Sequence, residues 1–459
     1  MKIPQKSILI REGMVITTES VHKQDVLFLG ERIAAVGDLK GTTADEQIDA
    51  SGRLVLPGAV DTHVHFNDVF MNTVSVHDYE TGTRAAAYGG VTSIIDFSNQ
   101  EHGRPLMETL DIKKEEAKGK TFIDWGVHPV ITDARPDVLA EISSVVSAGS
   151  PTIKCYMTYR SEGLMMEEKE LLSIQTELAK SGGMLMVHAE DNQIIEKNVP
   201  RLIAQGKTQA YYHAVSRPPE AENAAIQSCL RLAEKTGCRL FIVHMATDKG
   251  MGHVARARKK GVDIQAETCT HYLLFTEDIL KREDGLKWVC SPPLRSRSIQ
   301  NKLWGGLRDG RIAMVSSDDA AYSWEAKLYG AERFDKCPNG IPGVETRLTA
   351  LYSAGVASGK LSLSRWIDVC ATTPARLFGL FPQKGHLAPG ADADVVLFNP
   401  NTEWRMDVDT LHMAADWSAY EGKTIGKVEK VFSRGELIID GEECLAEKGR
   451  GRYLHRKLA

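Results

Sequence analysis

Eight short apolar runs recur through the middle of this 459-residue chain, at 55–65, 91–97, 122–130, 152–157, 184–188, 240–244, 262–267 and 312–318. Segments with helical spacing of apolar residues lie between them, 167–180 and 220–235 among them. A strand that is apolar throughout has no face to give to water, so it must be covered on both sides, as in a parallel sheet flanked by helices. Eight such units over roughly 250 residues are what a closed (β/α)8 TIM-like barrel requires. An open doubly wound α/β sheet shares the rhythm, but no G-x-G-x-x-G follows an early strand here.

Such a barrel would gather its strand ends at one face. Six metal-competent or ionisable residues stand at or near C-terminal strand ends: His63 and His65 on the first, Lys154 on the fourth, His188 on the fifth, His244 on the sixth and Asp318 on the eighth. Barrel active sites are built where those ends converge. Chance would place one or two such residues there, not six.

Both ends of the chain read differently. Runs at 7–11, 14–18 and 25–29, and again at 394–398, 425–432 and 436–439, are apolar or β-branched and punctuated by turn residues. They predict a small β-sandwich domain built from both termini, with residues 1–55 and 386–459 around a barrel at 56–385. A net charge of −5 over this length offers no basic footprint, which argues against nucleic acid as a partner. The eight cysteines are scattered without a Cys-x-x-Cys pair, the usage of reduced thiols in a cytoplasmic protein. No run reaches the ~20 apolar residues of a membrane span, and the first ten residues have too short an apolar stretch for a secretory signal.

His63 and His65 lie two apart on a strand, so both project to one side and can chelate one divalent ion. Lys154 sits in PTIKCYM (151–157), where a buried ammonium is costly unless paired. Either a salt bridge neutralises it, or its amine is carboxylated by carbon dioxide to an anionic carbamate able to bridge two cations. His188 and His244 each end an apolar strand, equivalent positions that favour ion binding over a structural role. Asp318 ends the last strand; Asp319 beside it could also point inward, and strand register favours Asp318. Four histidines, one carbamate and one aspartate suffice for two ions with an open position, zinc first, with manganese, iron or nickel as alternatives.

The motifs GAVDTHVH (58–65), GVTSIID (90–96), KCYMTY (154–159), VHAE (187–190), ETC (267–269), SPPLR (291–295), NGIPGVE (339–345) and KGHLAPGADAD (384–394) resemble landmarks of the hydantoinase and dihydropyrimidinase branch of the amidohydrolase superfamily. The similarity runs over nearly the whole chain. It implies that His63, His65 and Asp318 bind one zinc and His188 and His244 the other, with carboxylated Lys154 between them. It further implies that Tyr159 hydrogen-bonds the developing oxyanion, that Ser291 and Asn339 hold the cyclic amide, and that 163–168 flanks the pocket. Asp318 would carry a proton from the attacking water to the ring nitrogen, releasing an N-carbamoyl amino acid. A homo-oligomer, tetramer or dimer, is implied as well.

The chain departs from the family where Asp-His-Cys is replaced by Asp318-Asp319-Ala320, and where Thr-Cys-Pro is replaced by Thr268-Cys269-Thr270 before His271. Both changes fall on the pocket rim and bear on the substrate more than on the reaction. Allantoinase and dihydroorotase share the metal site, but dihydroorotase carries an Arg soon after His-x-His, where this chain has Phe66 and Asn67. A deaminase of the superfamily would lack Lys154, and a non-catalytic scaffold of this fold would have lost ligands that are all present here. The expected substrate is therefore a neutral cyclic amide.

Overall fold

The computed structural model describes residues 6–459; residues 1–5, the start of the expected 1–55 segment, lie outside them. Eight parallel strands follow one another around a barrel: β1 (Ala59–Val64), β2 (Val91–Asn99), β3 (Asp124–Val130), β4 (Thr152–Tyr156), β5 (Met184–His188), β6 (Arg239–Ile242), β7 (Ile264–Cys269) and β8 (Met314–Ser316). Closure lies just beyond β8, where Val64 bridges Asp319 and the His65 N–H donates to the Asp319 carbonyl at 2.8 Å. Helices cover the outside. Those at Glu168–Ser181 and Pro219–Thr236 lie within one residue of the predicted segments at each end. Leu171, Ile174 and Leu178 form the buried stripe of the first, at the spacing of one helix face.

The run at 55–65 is divided between two sheets. Leu54–Pro57 belongs to the terminal sheet and Ala59–Val64 to the barrel, with Gly58 at the switch. A Cβ at Gly58 would stand 2.1 Å from Thr92 Oγ1, so only glycine lets the chain pass this close to β2. The terminal strands form one nine-stranded sheet in which Val395–Arg405 pairs with Leu54–Pro57 and so joins the two ends of the chain. Ser7–Ile16 is one strand bent at a bulge between Ile10 and Gly13, where the sequence reads as two runs. Phe28 meets Phe432 edge-on at 5.5 Å in the apolar interior of this sheet. The last residues return to the barrel, where Arg456 donates to Thr152 Oγ1 at 2.9 Å and to the Val127 carbonyl at 2.7 Å.

All eight cysteines are free thiols, seven of them buried. No helix among the described residues is long and apolar enough to cross a membrane.

Where sheet and barrel meet, the buried Lys384 ammonium lies 2.6 Å from Asp124 on β3, 2.9 Å from Asp392 and 2.8 Å from Asp394. Removing one partner of a buried charge cluster leaves the others uncompensated. Lys384→Met should therefore lower the unfolding free energy by about 3–5 kcal/mol in a urea titration. A loss below about 1 kcal/mol would show that Arg32 and Arg434, which also reach these carboxylates, carry the junction alone.

Candidate metal centre

The six residues singled out at the strand ends converge. His63 Nε2 lies 3.0 Å and His65 Nε2 3.6 Å from Asp318 Oδ1, and these three ligating atoms lie within 4.8 Å of one another. The His188 and His244 rings are 4.4 Å apart, and His244 is 5.6 Å from His63. Phe97 on β2 packs at 4.8 Å against both His63 and His65. Lys154 Nζ sits 4.5 Å from the Phe97 ring centre and 4.8 Å from that of Tyr156. No carboxylate lies within ion-pair distance of Lys154 among the described residues, so the salt bridge weighed from sequence is not made.

His65, Lys154, His188, His244 and Asp318 line one cavity, with His63 behind them. Tyr159, Ser291 and Asn339 line it too. Tyr159 is buried with a left-handed backbone (φ 65°), and its hydroxyl accepts a hydrogen bond from Asn339 Nδ2 at 3.1 Å. Of the stretch 163–168, Leu164 reaches the cavity. Asp319 does not. Its Oδ1 accepts from the N–H groups of Gly343 at 2.6 Å and Val344 at 3.0 Å, and its Oδ2 faces His77 Nδ1 at 2.7 Å.

The strand ends deliver the rings, and carboxylates outside them fix their orientation. His63 Nδ1 contacts Glu267 Oε1 at 2.5 Å, His65 Nδ1 contacts Asp68 Oδ2 at 3.0 Å, and His188 Nε2 contacts Glu190 Oε2 at 2.8 Å. Each ring thereby has one nitrogen held, and on His63 and His65 the other faces Asp318, the arrangement that orients imidazole ligands. Glu190 is itself held by Arg217 at 2.7 Å. These carboxylates have no role in the sequence reading. Glu190 and Glu267 stand inside quoted motifs, and charged residues in otherwise apolar strand ends were the available signal.

Burial pushes the Lys154 ammonium down to about 8, outweighing Asp318 and Glu267, so its neutral amine is accessible near physiological pH. Burial also lowers His188 and His244, the latter well below the ordinary range, which keeps both imidazoles neutral. Burial opposes ionisation of Asp318, but His63 beside it outweighs burial and holds the carboxyl well below the usual range. The donor set fits divalent ions. His63 Nε2 approaches Asp318 without hydrogen-bond geometry, and buried His244 Nδ1 has no partner.

The amidohydrolase family model matches residues 54–438. The D-hydantoinase of Streptomyces coelicolor is 39% identical over 458 residues, covering 98% of this chain and 97% of that one. The D-phenylhydantoinase of Escherichia coli is 39% identical over 455 residues, covering 98% of each. Among solved structures, the dihydropyrimidinase of Brevibacillus agri is similar with a TM-score of 0.96 and 38% identity, covering 99% of both chains.

Loss of an outer carboxylate loosens the ligand it orients. Glu190→Gln should weaken retention of a divalent ion at His188 about 10–100-fold, measured by equilibrium dialysis against a chelator. Unchanged retention would mean that Glu190 serves only to neutralise Arg217.

Proposed function

The chain belongs to the amidohydrolase family, in the branch of the hydantoinases and dihydropyrimidinases, and we propose that it hydrolyses a 5-substituted hydantoin or a 5,6-dihydropyrimidine to the N-carbamoyl amino acid. The observation that carries this reading is a single cavity lined both by ion-binding donors and by groups suited to an amide. His63, His65 and Asp318 would hold one divalent ion and His188 and His244 another, with Lys154, carboxylated on its amine, between them. Zinc suits this nitrogen and oxygen set, and manganese is the alternative. Bound there, the ions supply Lewis acidity and lower the pKa of water toward neutrality.

The chain's own residues do the rest. Burial pushes the Tyr159 hydroxyl up to about 12, so it keeps its proton through the neutral range and donates to the oxygen that becomes anionic as the ring carbonyl turns tetrahedral. Phe70 against one side of the Tyr159 ring and Arg217 over it, each at 5.0 Å, hold that hydroxyl in place. Asp318, kept ionised by His63 beside it, accepts the proton of the attacking water and passes it to the ring nitrogen as the C–N bond breaks. Ser291 and Asn339 grip the ring amide, and Leu164 and Phe70 face its substituent. Arg217, the guanidinium over Tyr159, is engaged by Glu190, which favours a neutral ring over one bearing a carboxylate.

We place the enzyme in the cytoplasm as a homo-oligomer, dimer or tetramer, without a nucleic-acid or membrane partner. The free thiols support the location, and the oligomer rests on the resemblance alone.

A turnover panel of hydantoin, 5-substituted hydantoins, dihydrouracil, allantoin and dihydroorotate should show its highest kcat/KM on a hydantoin or dihydrouracil; a preference for dihydroorotate or allantoin would overturn the assignment. Tyr159→Phe should lower kcat about 10²–10³-fold with KM nearly unchanged, read by steady-state kinetics. Wild-type turnover by Lys154→Ala would remove the carbamate from the mechanism.

A further inference from the structure

A second donor set lies beside the centre, at the seam between β7 and β8. Cys269 is the last residue of β7 and stands in register with Ser316 of β8, so its thiol and Asp318 belong to neighbouring strand ends. His271 follows in the short helix Thr270–Leu274. One ligating atom from each of Cys269, His271 and Asp318 lies within 4.8 Å of the others. His271 is only 1% exposed, yet neither of its ring nitrogens has a hydrogen-bond partner. Buried polar atoms are nearly always paired, so two orphaned nitrogens on one ring mark a place completed by something outside the chain. Of the three side chains only Asp318 lines the cavity, and an ion arriving through the cavity would meet it first.

We propose that Cys269, His271 and Asp318 form a further, inhibitory site for a thiophilic or borderline divalent cation of the Cd²⁺ or Zn²⁺ class, separate from the two ions of the centre. The proposal rests on the reading of Asp318 as ligand and proton carrier. A mixed sulfur, nitrogen and oxygen set selects such ions over Mg²⁺ or Ca²⁺. The Cys269 thiolate brings one negative charge to the ion, and Asp318 a carboxylate shared with the ion at His63 and His65. Binding breaks the Cys269 S–H bond, forms a sulfur–metal bond and releases the proton to water, with no change of oxidation state. The site takes an ion beyond the two that load the centre. Once filled, it occupies the carboxylate that must move a proton during turnover, and excess metal becomes a brake.

Enzyme reconstituted with zinc is titrated with CdCl₂, following ultraviolet absorbance, bound cadmium, retained zinc and turnover. One further equivalent should bind with zinc retained, a thiolate-to-Cd(II) charge-transfer band should grow with it, and turnover should fall in parallel. Cys269→Ser should keep its basal turnover, lack the band, and need at least about tenfold more Cd²⁺ for the same inhibition. His271→Gln should keep the band but shift it to at least about tenfold higher Cd²⁺, which tests the site even if the serine variant folds poorly. A band that persists in Cys269→Ser, or inhibition that neither variant moves, would overturn the proposal by placing the ion elsewhere. Absence of a further equivalent would overturn it in favour of water at His271. Zinc content and turnover before titration report on the catalytic reading separately, because the band is readable whether or not the enzyme turns over.

Discussion

A single buried carboxylate, Glu267 on β7, ties together the elements that carry the donors: its Oε1 meets His63 Nδ1 of β1 at 2.5 Å and lies 3.4 Å from the backbone N–H of His244 beyond β6. The groups it organises are bases that become cations when protonated, packed with little water between them. Two like charges ~5 Å apart repel by about 3 kcal/mol at an effective dielectric of about 20. The apolar barrel cannot screen that repulsion, so counter-charges have to be built in behind the rings. Glu267, Asp68 and Glu190 stand there, each on the ring nitrogen that faces away from Asp318 or the cavity. The same arrangement that lets the rings be buried also aims them.

Barrel closure depends on a similar division of labour between two adjacent carboxylates. Asp318 turns into the cavity and Asp319 into the wall, where it joins the loop at Gly343 and Val344 to His77. His77 Nε2 in turn accepts from the Ala414 N–H at 3.2 Å, carrying the contact into the C-terminal part of the chain. One turn deeper, the Arg347 guanidinium lies 3.3 Å from Asp61 and donates to the carbonyls of Val315 on β8 and Val60 on β1. The difference at position 319 is thus absorbed in the scaffold, whereas Ala320 lines the cavity itself, beside the proposed substrate groups Ser291 and Asn339.

Much of this was legible in the sequence because it is periodic. Apolar runs of strand length, helical stripes such as Leu171, Ile174 and Leu178, and donors recurring where the runs end are all local signals. What stayed hidden is what only the tertiary structure brings together. No local feature says that Glu190 meets His188 rather than water, that Arg217 lies over Tyr159, or that Asp68 turns back to His65. The division of 55–65 between two sheets was equally hidden, since Leu54–Pro57 and the start of Ala59–Val64 read as one apolar run, and only Gly58, packed against Thr92, stands between them.

The aim of Asp318 illustrates where register reasoning stops. β8 ends at Ser316 and β6 at Ile242, so Asp318 and His244 each stand two residues beyond their strand, and each has a left-handed backbone, with φ of 51° and 40°. Strand alternation no longer governs their side chains there; the turn does. For a residue other than glycine that conformation costs about 1–2 kcal/mol, so it persists only where the surroundings fix it. They do so on both sides. The Met245 N–H is held by the Glu267 carbonyl at 2.8 Å, the Ser317 N–H by Asp61 Oδ1 at 3.2 Å, and Asp319 is clamped in the wall. Tyr159, three residues past the end of β4, is left-handed as well, with φ of 65°. A proposed ligand, a proposed proton carrier and a proposed oxyanion donor thus share one strained backbone geometry. In each case it turns a side chain out of the strand's alternation and into the cavity, at sites the rigid barrel is able to over-determine.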